Sequence, residues 1–168
     1  RTALLYIVFF LLILGSVWGE ATAEALFLDK IGTDSYSFRF IAEAVFTLAF
    51  TLIYTAFVDR VSNTHMLTAI CAITSVSLLV TRLLLIFDPN QSIAFYLFYL
   101  IGRTARVILS VHSWTYASEF YDTRAAKRIF PLIGSSGRIA GLFGGVALRF
   151  VVPIVHAENI PYIWIALL

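Results

Sequence analysis

The sequence predicts an all-α membrane protein: a polytopic helical bundle of about five transmembrane helices plus the start of a sixth. Three observations lead there. Hydrophobic residues make up 60% of the 168 and charged residues only 13%, against about 25% charged in an ordinary soluble domain. The mean hydropathy is +0.90, so there is too little charge to cover a surface in water. The apolar residues fall in runs of about 20 or more, the length a helix needs to cross the hydrocarbon core. The short alternating strands of a membrane β-barrel are absent from the pattern.

The first span, 3–27, starts too near the chain start to follow a basic leader region. It also exceeds the roughly 7–15 residues of a signal-peptide core, so it reads as a true first helix. The second span is 37–58 and the third 66–87, joined by "DRVSNTH" (Asp59 to His65). The fourth is 92–116, entered through the tight turn "DPNQ" (Asp88 to Gln91). A longer loop, 118–137, precedes the fifth span at 138–155, and a sixth begins near Pro161. Within that loop, Asp122 or Thr123 is expected to cap a short amphipathic helix running to Phe130, with Pro131 ending it. No internal repeat or linker is legible. We therefore expect residues 1–168 to be a single, incomplete transmembrane domain. The lone Cys71 allows no intrachain disulfide and reads as a buried structural thiol.

The basic residues set the expected orientation. With the N-terminus cytoplasmic, Arg1, Arg60, Arg124, Lys127, Arg128 and Arg138 lie inside, whereas Lys30 and Arg39 lie outside. Arg82, Arg103, Arg106 and Arg149 fall within spans. Arg82 and Arg149, near the outer ends of theirs, are expected to snorkel to the interface.

Arg103 is different. It sits about 16 Å along the fourth span at the helical rise, close to mid-membrane. Arg106, Ser110 and Ser113 continue the same side of the helix. Opposing carboxylates are available in Glu20 and Glu24 on the first span and Glu43 on the second. Two readings are open. The acids pair with the arginines and hold the bundle together, or Arg103 and Arg106 hold an anionic solute through the planar guanidinium fork. The two are compatible if Glu20, Glu24 and Glu43 release the arginines during a transport cycle. His112 reads as a hydrogen-bonded bundle histidine rather than a proton relay.

Gly134, Gly137, Gly141 and Gly145 suggest a small-residue ridge for close helix packing. They are not a phosphate loop, because no Gly-Lys-Ser/Thr follows. No HExxH, GxSxG or CxxC motif is present, so no catalytic residue, metal set or cofactor is expected and the chain does not read as an enzyme. A net charge of +2 gives no reason to expect nucleic acid. The polar loop carries Glu119, Asp122, Arg124, Lys127 and Arg128. Together with Asp59 and Arg60 these form either solvated surface or a cytoplasmic salt-bridge latch.

The "DR" of the second loop and "EFYDTRAAKRIFPLIGSSGRIAGLFGG" after span four are similar to the ATP/ADP translocase-type nucleotide transporters, relatives of the major facilitator superfamily. Tyr121-Asp122, Lys127-Arg128 and the glycines from Gly134 to Gly145 carry the resemblance. It implies the amino-terminal half of a major facilitator fold, in which helices one, two, four and five line a central cavity. It further implies an antiporter-like carrier of nucleotides or other phosphate compounds, with a missing carboxy-terminal half as partner. The expected setting is the lipid bilayer of a bacterial inner (plasma) membrane, and the expected solute is a small anion. Arg103, Arg106, Glu20 and Glu43 are the expected solute-binding residues. The alternative is a non-transporting membrane sensor or scaffold attached to soluble regulatory domains.

Overall fold

Every apolar run becomes a helix in the computed structural model, which describes residues 2–32, 36–87 and 92–168. Helix α1 spans Thr2–Ile31, α2 Tyr36–Val58, α3 Asn63–Phe87, α4 Ser92–Ser118 and α5 Thr123–Val155. A 3-10 turn, Ala157–Asn159, leads into α6, Ile160–Leu167. The first five are long and apolar enough to cross a membrane, and no strand occurs among the described residues. Arg1 and the turn expected at Asp88 to Gln91 lie outside those residues.

The helix ends have local causes. Gly32, at φ 82°, closes α1, and its N–H donates to the Leu28 carbonyl at 3.1 Å. Ser62 opens α3 ahead of the expected start at Met66. Its carbonyl accepts the Met66 N–H at 2.9 Å, and its hydroxyl contacts His65 Nδ1 at 2.6 Å. Pro161 stands in the first turn of α6, where its missing N–H costs nothing.

The largest departure is α5. The expected short helix, Pro131 break and fresh start at Arg138 are one continuous helix of 33 residues. Asp122 caps it as expected, its carboxylate accepting the Ala125 N–H at 2.7 Å. Pro131 lies inside the helix and does not end it. At about 1.5 Å per residue the helix is about 50 Å long, well beyond a hydrocarbon core of about 30 Å. Its first turns therefore extend past the apolar slab, where water can satisfy the carbonyl that Pro131 leaves unpaired. Packing also holds this segment helical. Ile133 is fully buried with Leu5, Phe9 and Ala117, and the Phe130 ring meets Trp114 at 5.4 Å.

Helices α1 and α4 pack on each other and carry the rest. Helix α5 lies on α1 and α2 on α4, while α3 packs on α4, α6 on α1, and α3 and α6 meet. The set of partners is unchanged if α1 is exchanged with α4, α2 with α5 and α3 with α6. Two successive three-helix units thus share one pattern of partners, although no repeat is legible in the sequence and α6 is much shorter than α3. An odd number of spans per unit inverts the second relative to the first. The main core, including Phe27, Leu78, Phe98, Tyr99 and Trp164, lies among α1, α2, α3, α4 and α6. Cys71, expected to be buried, is half-buried against this core.

Small residues set the closest approaches, but not all at the expected positions. A Cβ on Gly137 would fall 2.4 Å from Ile13 Cδ1, and one on Gly144 would fall 2.8 Å from Leu14 Cδ1. Gly134 makes only ordinary contact with Trp114 at 3.6 Å, and at Gly141 and Gly145 a Cβ would meet open space. A spacing of four drifts around a helix of 3.6 residues per turn. The buried line on α5 is instead Ile133, Ser136, Ala140 and Gly144. Trp18 Nε1 also donates to the Gly144 carbonyl at 2.8 Å, tying α1 to α5.

The tighter notch is on α1. A Cβ on Gly15 or Gly19 would fall 2.5 or 2.0 Å from the ring of Trp164. That indole, on α6, is fully buried. Gly19→Ala should therefore destabilise the protein by about 1–3 kcal/mol through overpacking. Gly141→Ala should leave stability unchanged or raise it by up to about 1 kcal/mol, the helix-propensity gain. Thermal unfolding of the two variants in detergent measures the contrast.

Candidate functional site

The polar residues of α1, α2 and α4 recur at helical spacing, which puts each set on one face. On α1 these are Glu20 and Glu24. On α2 they are Arg39, Glu43, Thr47 and Tyr54, and on α4 Tyr99, Arg103 and Arg106, followed by Ser110 and Ser113. The three faces meet. The sequence places Glu20, Glu43, Arg103 and Arg106 as one candidate group, and the fold brings all four together.

Glu20 is the hub. Its side chain is only 9% exposed, and its two oxygens bond Arg103 Nη1 and Arg106 Nη1 respectively. Arg103 also donates from Nε to Glu43 Oε1 at 2.9 Å. Glu43 accepts a second bond on Oε2 from the Tyr99 hydroxyl at 2.6 Å. Toward the other end of the same faces, Arg39 pairs with Glu24 at 3.4 Å. Arg39, expected on the outer side at the end of the second span, is only 2% exposed, with its guanidinium 4.5 Å from the Tyr99 ring centre and 5.4 Å from that of Phe27. The aromatic faces attract the cation where water is excluded.

Three acids (Glu20, Glu24, Glu43) thus face three arginines (Arg39, Arg103, Arg106), and the formal charge of the cluster is zero. Balance matters here, because an uncompensated charge in lipid costs at least about 2.5–3.5 kcal/mol. The cluster is not sealed. The side chains of Arg103 and Arg106 are 35% and 47% exposed, and Arg106 gives its one bond among the described residues to Glu20. The rest of the Arg106 fork has open donors.

A polar ladder continues below. Thr47 meets Thr104 at 3.1 Å, and the Tyr54 hydroxyl meets His112 Nδ1 at 3.1 Å. His112 Nε2 lies 2.9 Å from the Asn63 carbonyl, so both nitrogens of this fully buried ring are bonded. Helix α2 is mostly exposed, and it meets α4 through these polar contacts and through Ala42, Phe46 and Tyr54, which pack half-buried on the main core.

The residues expected to form a latch lie at the ends where α2–α3 and α4–α5 turn. Glu119 accepts from Asn63 Nδ2 at 2.7 Å, and Asp122 caps α5. Asp59, Arg60, Arg124, Lys127 and Arg128 are exposed and join no ion pair among the described residues. The tie across this end is thus a hydrogen bond, together with one between Thr2 and the Tyr121 hydroxyl at 2.9 Å. At the opposite end Arg82 bonds Asn159 at 2.8 Å and lies 3.9 Å from Glu158, so its head does reach the helix ends. Arg149 is exposed. Among the described residues, no group of three or more His, Cys, Asp or Glu could hold a metal ion.

Sequence reasoning missed Tyr99, the burial of Arg39 and the α1 notch. Each had a signal: Tyr99 is four residues before Arg103, Arg39 is four before Glu43, and Gly15 is four before Gly19. No family model, curated protein or solved structure matches this chain.

The hub generates a direct expectation. Glu20→Gln keeps the shape but leaves two arginines facing a neutral amide. Breaking a fully buried pair costs about 3–5 kcal/mol and an exposed one about 0–1, so with the arginines partly open the loss should be about 1–3 kcal/mol. Glu119→Gln, at an exposed helix end, should change stability by less than about 0.5 kcal/mol. Thermal unfolding of both variants checks the difference.

Proposed function

We propose that this chain is the amino-terminal half of a secondary transporter of the major facilitator type, moving an anionic solute by alternating access. The observation that carries this reading is the charge-balanced cluster midway along α4 with an open Arg106. A purely structural cluster has no need to leave guanidinium donors unused. Here an entering anion competes with Glu20 for Arg103 and Arg106, and Glu20 with Glu43 acts as the counter-charge that takes the arginines back when the solute leaves.

Three further features support it. The inverted pairing of α1–α3 with α4–α6 is the kind of architecture in which solute sites form at the repeat interface. The glycine contacts of α1 with α5 and α6 allow close helices to rock without side chains interlocking. The segment from Tyr121 to Gly145 resembles the ATP/ADP translocase-type carriers, which makes nucleotides and other phosphate compounds the first solutes to try. On this reading the N-terminus is cytoplasmic in a bacterial inner membrane, by the excess of Arg and Lys at the α2–α3 and α4–α5 turns. The Asn63–Glu119 bond ties the cytoplasmic end in this state, Asp59 and Arg60 stand exposed beside the α4–α5 turn to latch in another, and a carboxy-terminal half completes the cavity.

Uptake of labelled ATP, ADP and inorganic phosphate by full-length protein in liposomes tests this. We expect uptake by the wild type, a loss of at least tenfold in Arg103→Ala and Arg106→Ala, and no loss in Arg149→Ala. Folded wild type that moves none of these anions contradicts the proposal and favours a sensor or scaffold module.

A further inference from the structure

One face of α5 changes character at a single point. Leu132, Ile139, Phe143, Val146, Phe150 and Ile154 are exposed and recur at steps of three, four and seven, so they form one line along the helix. Going back from Leu132 by fours, the same line reaches Arg128 and then Arg124. The other cations of α5, Lys127, Arg138 and Arg149, are spaced by eleven and form a separate line to one side.

Length fixes the depth of the change. From Leu132 to Ile154 is 22 residue steps, or about 33 Å at the helical rise, close to the roughly 30 Å of a hydrocarbon core. Arg128 and Arg124 then stand about 6 Å and about 12 Å beyond its edge. The polar layer on each side of the core is about 5–8 Å deep. Arg128 is at headgroup depth, and the long Arg124 side chain reaches back to it.

The two arginines are unfavourable neighbours on their own. Both are exposed and join no ion pair among the described residues. Like charges four apart on a helix repel. Arg124 also stands in the first turn, at the positive end of the helix dipole, and no acid shares that turn. The carboxylate beside it, on Asp122, is taken up by the Ala125 N–H. Asp122, Arg124, Ala125, Arg128 and Ile129 border one shallow hollow, so both arginines flank the same space. An anion held between them removes the repulsion and makes charge-assisted bonds to both.

We propose that Arg124 and Arg128 clamp the headgroup phosphate of an anionic phospholipid, whose acyl chains run along Leu132, Ile139 and Phe143. The apolar line makes the occupant a lipid and not a free ion, because it starts where the arginines stop and continues for a full core thickness. A headgroup of net negative charge is preferred to a zwitterionic one, whose own ammonium competes for the phosphate. The inference does not rest on the transporter reading. It needs only that α5 crosses a membrane.

Titration of purified full-length protein in detergent with phosphatidylglycerol or phosphatidylcholine tests it, the rise in unfolding midpoint giving the half-saturating lipid fraction. The wild type should prefer phosphatidylglycerol by about fivefold or more, and Arg124→Gln and Arg128→Gln should each remove most of that preference. Lys127→Gln, which deletes the same charge off the line, should change it by less than about twofold. Without lipid, Arg124→Gln should unfold at the wild-type temperature or slightly above it, because the repulsion is relieved, so a lost preference is not lost folding. Inorganic phosphate should not reproduce the shift. Three results each overturn the clamp. Equal response of folded wild type to both lipids means that no anionic headgroup is selected. A loss in Lys127→Gln as large as in the arginine variants means diffuse charge, and an equal shift with inorganic phosphate means a soluble anion. None of these results bears on uptake through Arg103 and Arg106, so the two proposals fail separately.

Discussion

The Glu20 carboxylate, held between Arg103 and Arg106, is the contact on which the rest of the arrangement depends. Two arginines midway along an apolar helix such as α4 need a counter-charge, and α1 supplies it. The same guanidinium that reaches Glu20 reaches Glu43, so one ion cluster joins α1, α2 and α4. In lipid no hydrophobic force pulls apolar helices together, and polar contacts and close packing decide who touches whom. Helix α2 shows this directly. Its attachment to α4 runs through Glu43, Thr47 and Tyr54, each bonded to an α4 residue.

Packing by small residues solves the complementary problem. The charge cluster fixes one side of α1, while Gly15 and Gly19 open a slot for Trp164 and Gly137 and Gly144 let α5 lie close. One helix thus meets three partners by two kinds of contact. Ion pairs resist separation but release when charge moves. Glycine contacts allow sliding. In the proposed cycle the first would carry the solute dependence and the second the motion, which is why both fall on α1.

Much of this was legible in the chain. The apolar runs gave the helices because a span of about 20 residues has few other fates in lipid. The charges at positions 20, 43, 103 and 106 stood out for the same reason, since each is expensive unless paired. What could not be read was which partner each would choose, because pairing depends on helix rotation and depth. Arg39 shows the difficulty: by sequence it belongs to a helix end, yet aromatic rings from α1 and α4 close over it. Pro131 misled because its usual effect is to end or kink a helix, whereas here the packing of Phe130 and Ile133 on either side holds the segment helical. The glycine ridge was half right, since spacing by four marks a face only over a short stretch and the contact line moved from Gly141 to Ala140 and Gly144. The inverted pairing left no trace in sequence because it is a relation among helix contacts, not among residue types.

The most direct test of the central contact is a double-mutant cycle on Glu20 and Arg103, with stability measured for Glu20→Gln, Arg103→Gln and the pair. If the carboxylate and the guanidinium hold each other in place, the double variant should lose less than the sum of the singles, with a coupling of about 1–2 kcal/mol. Losses that simply add would mean that the two charges do not depend on each other, and that the Glu20–Arg103 pair does not join α1 to α4.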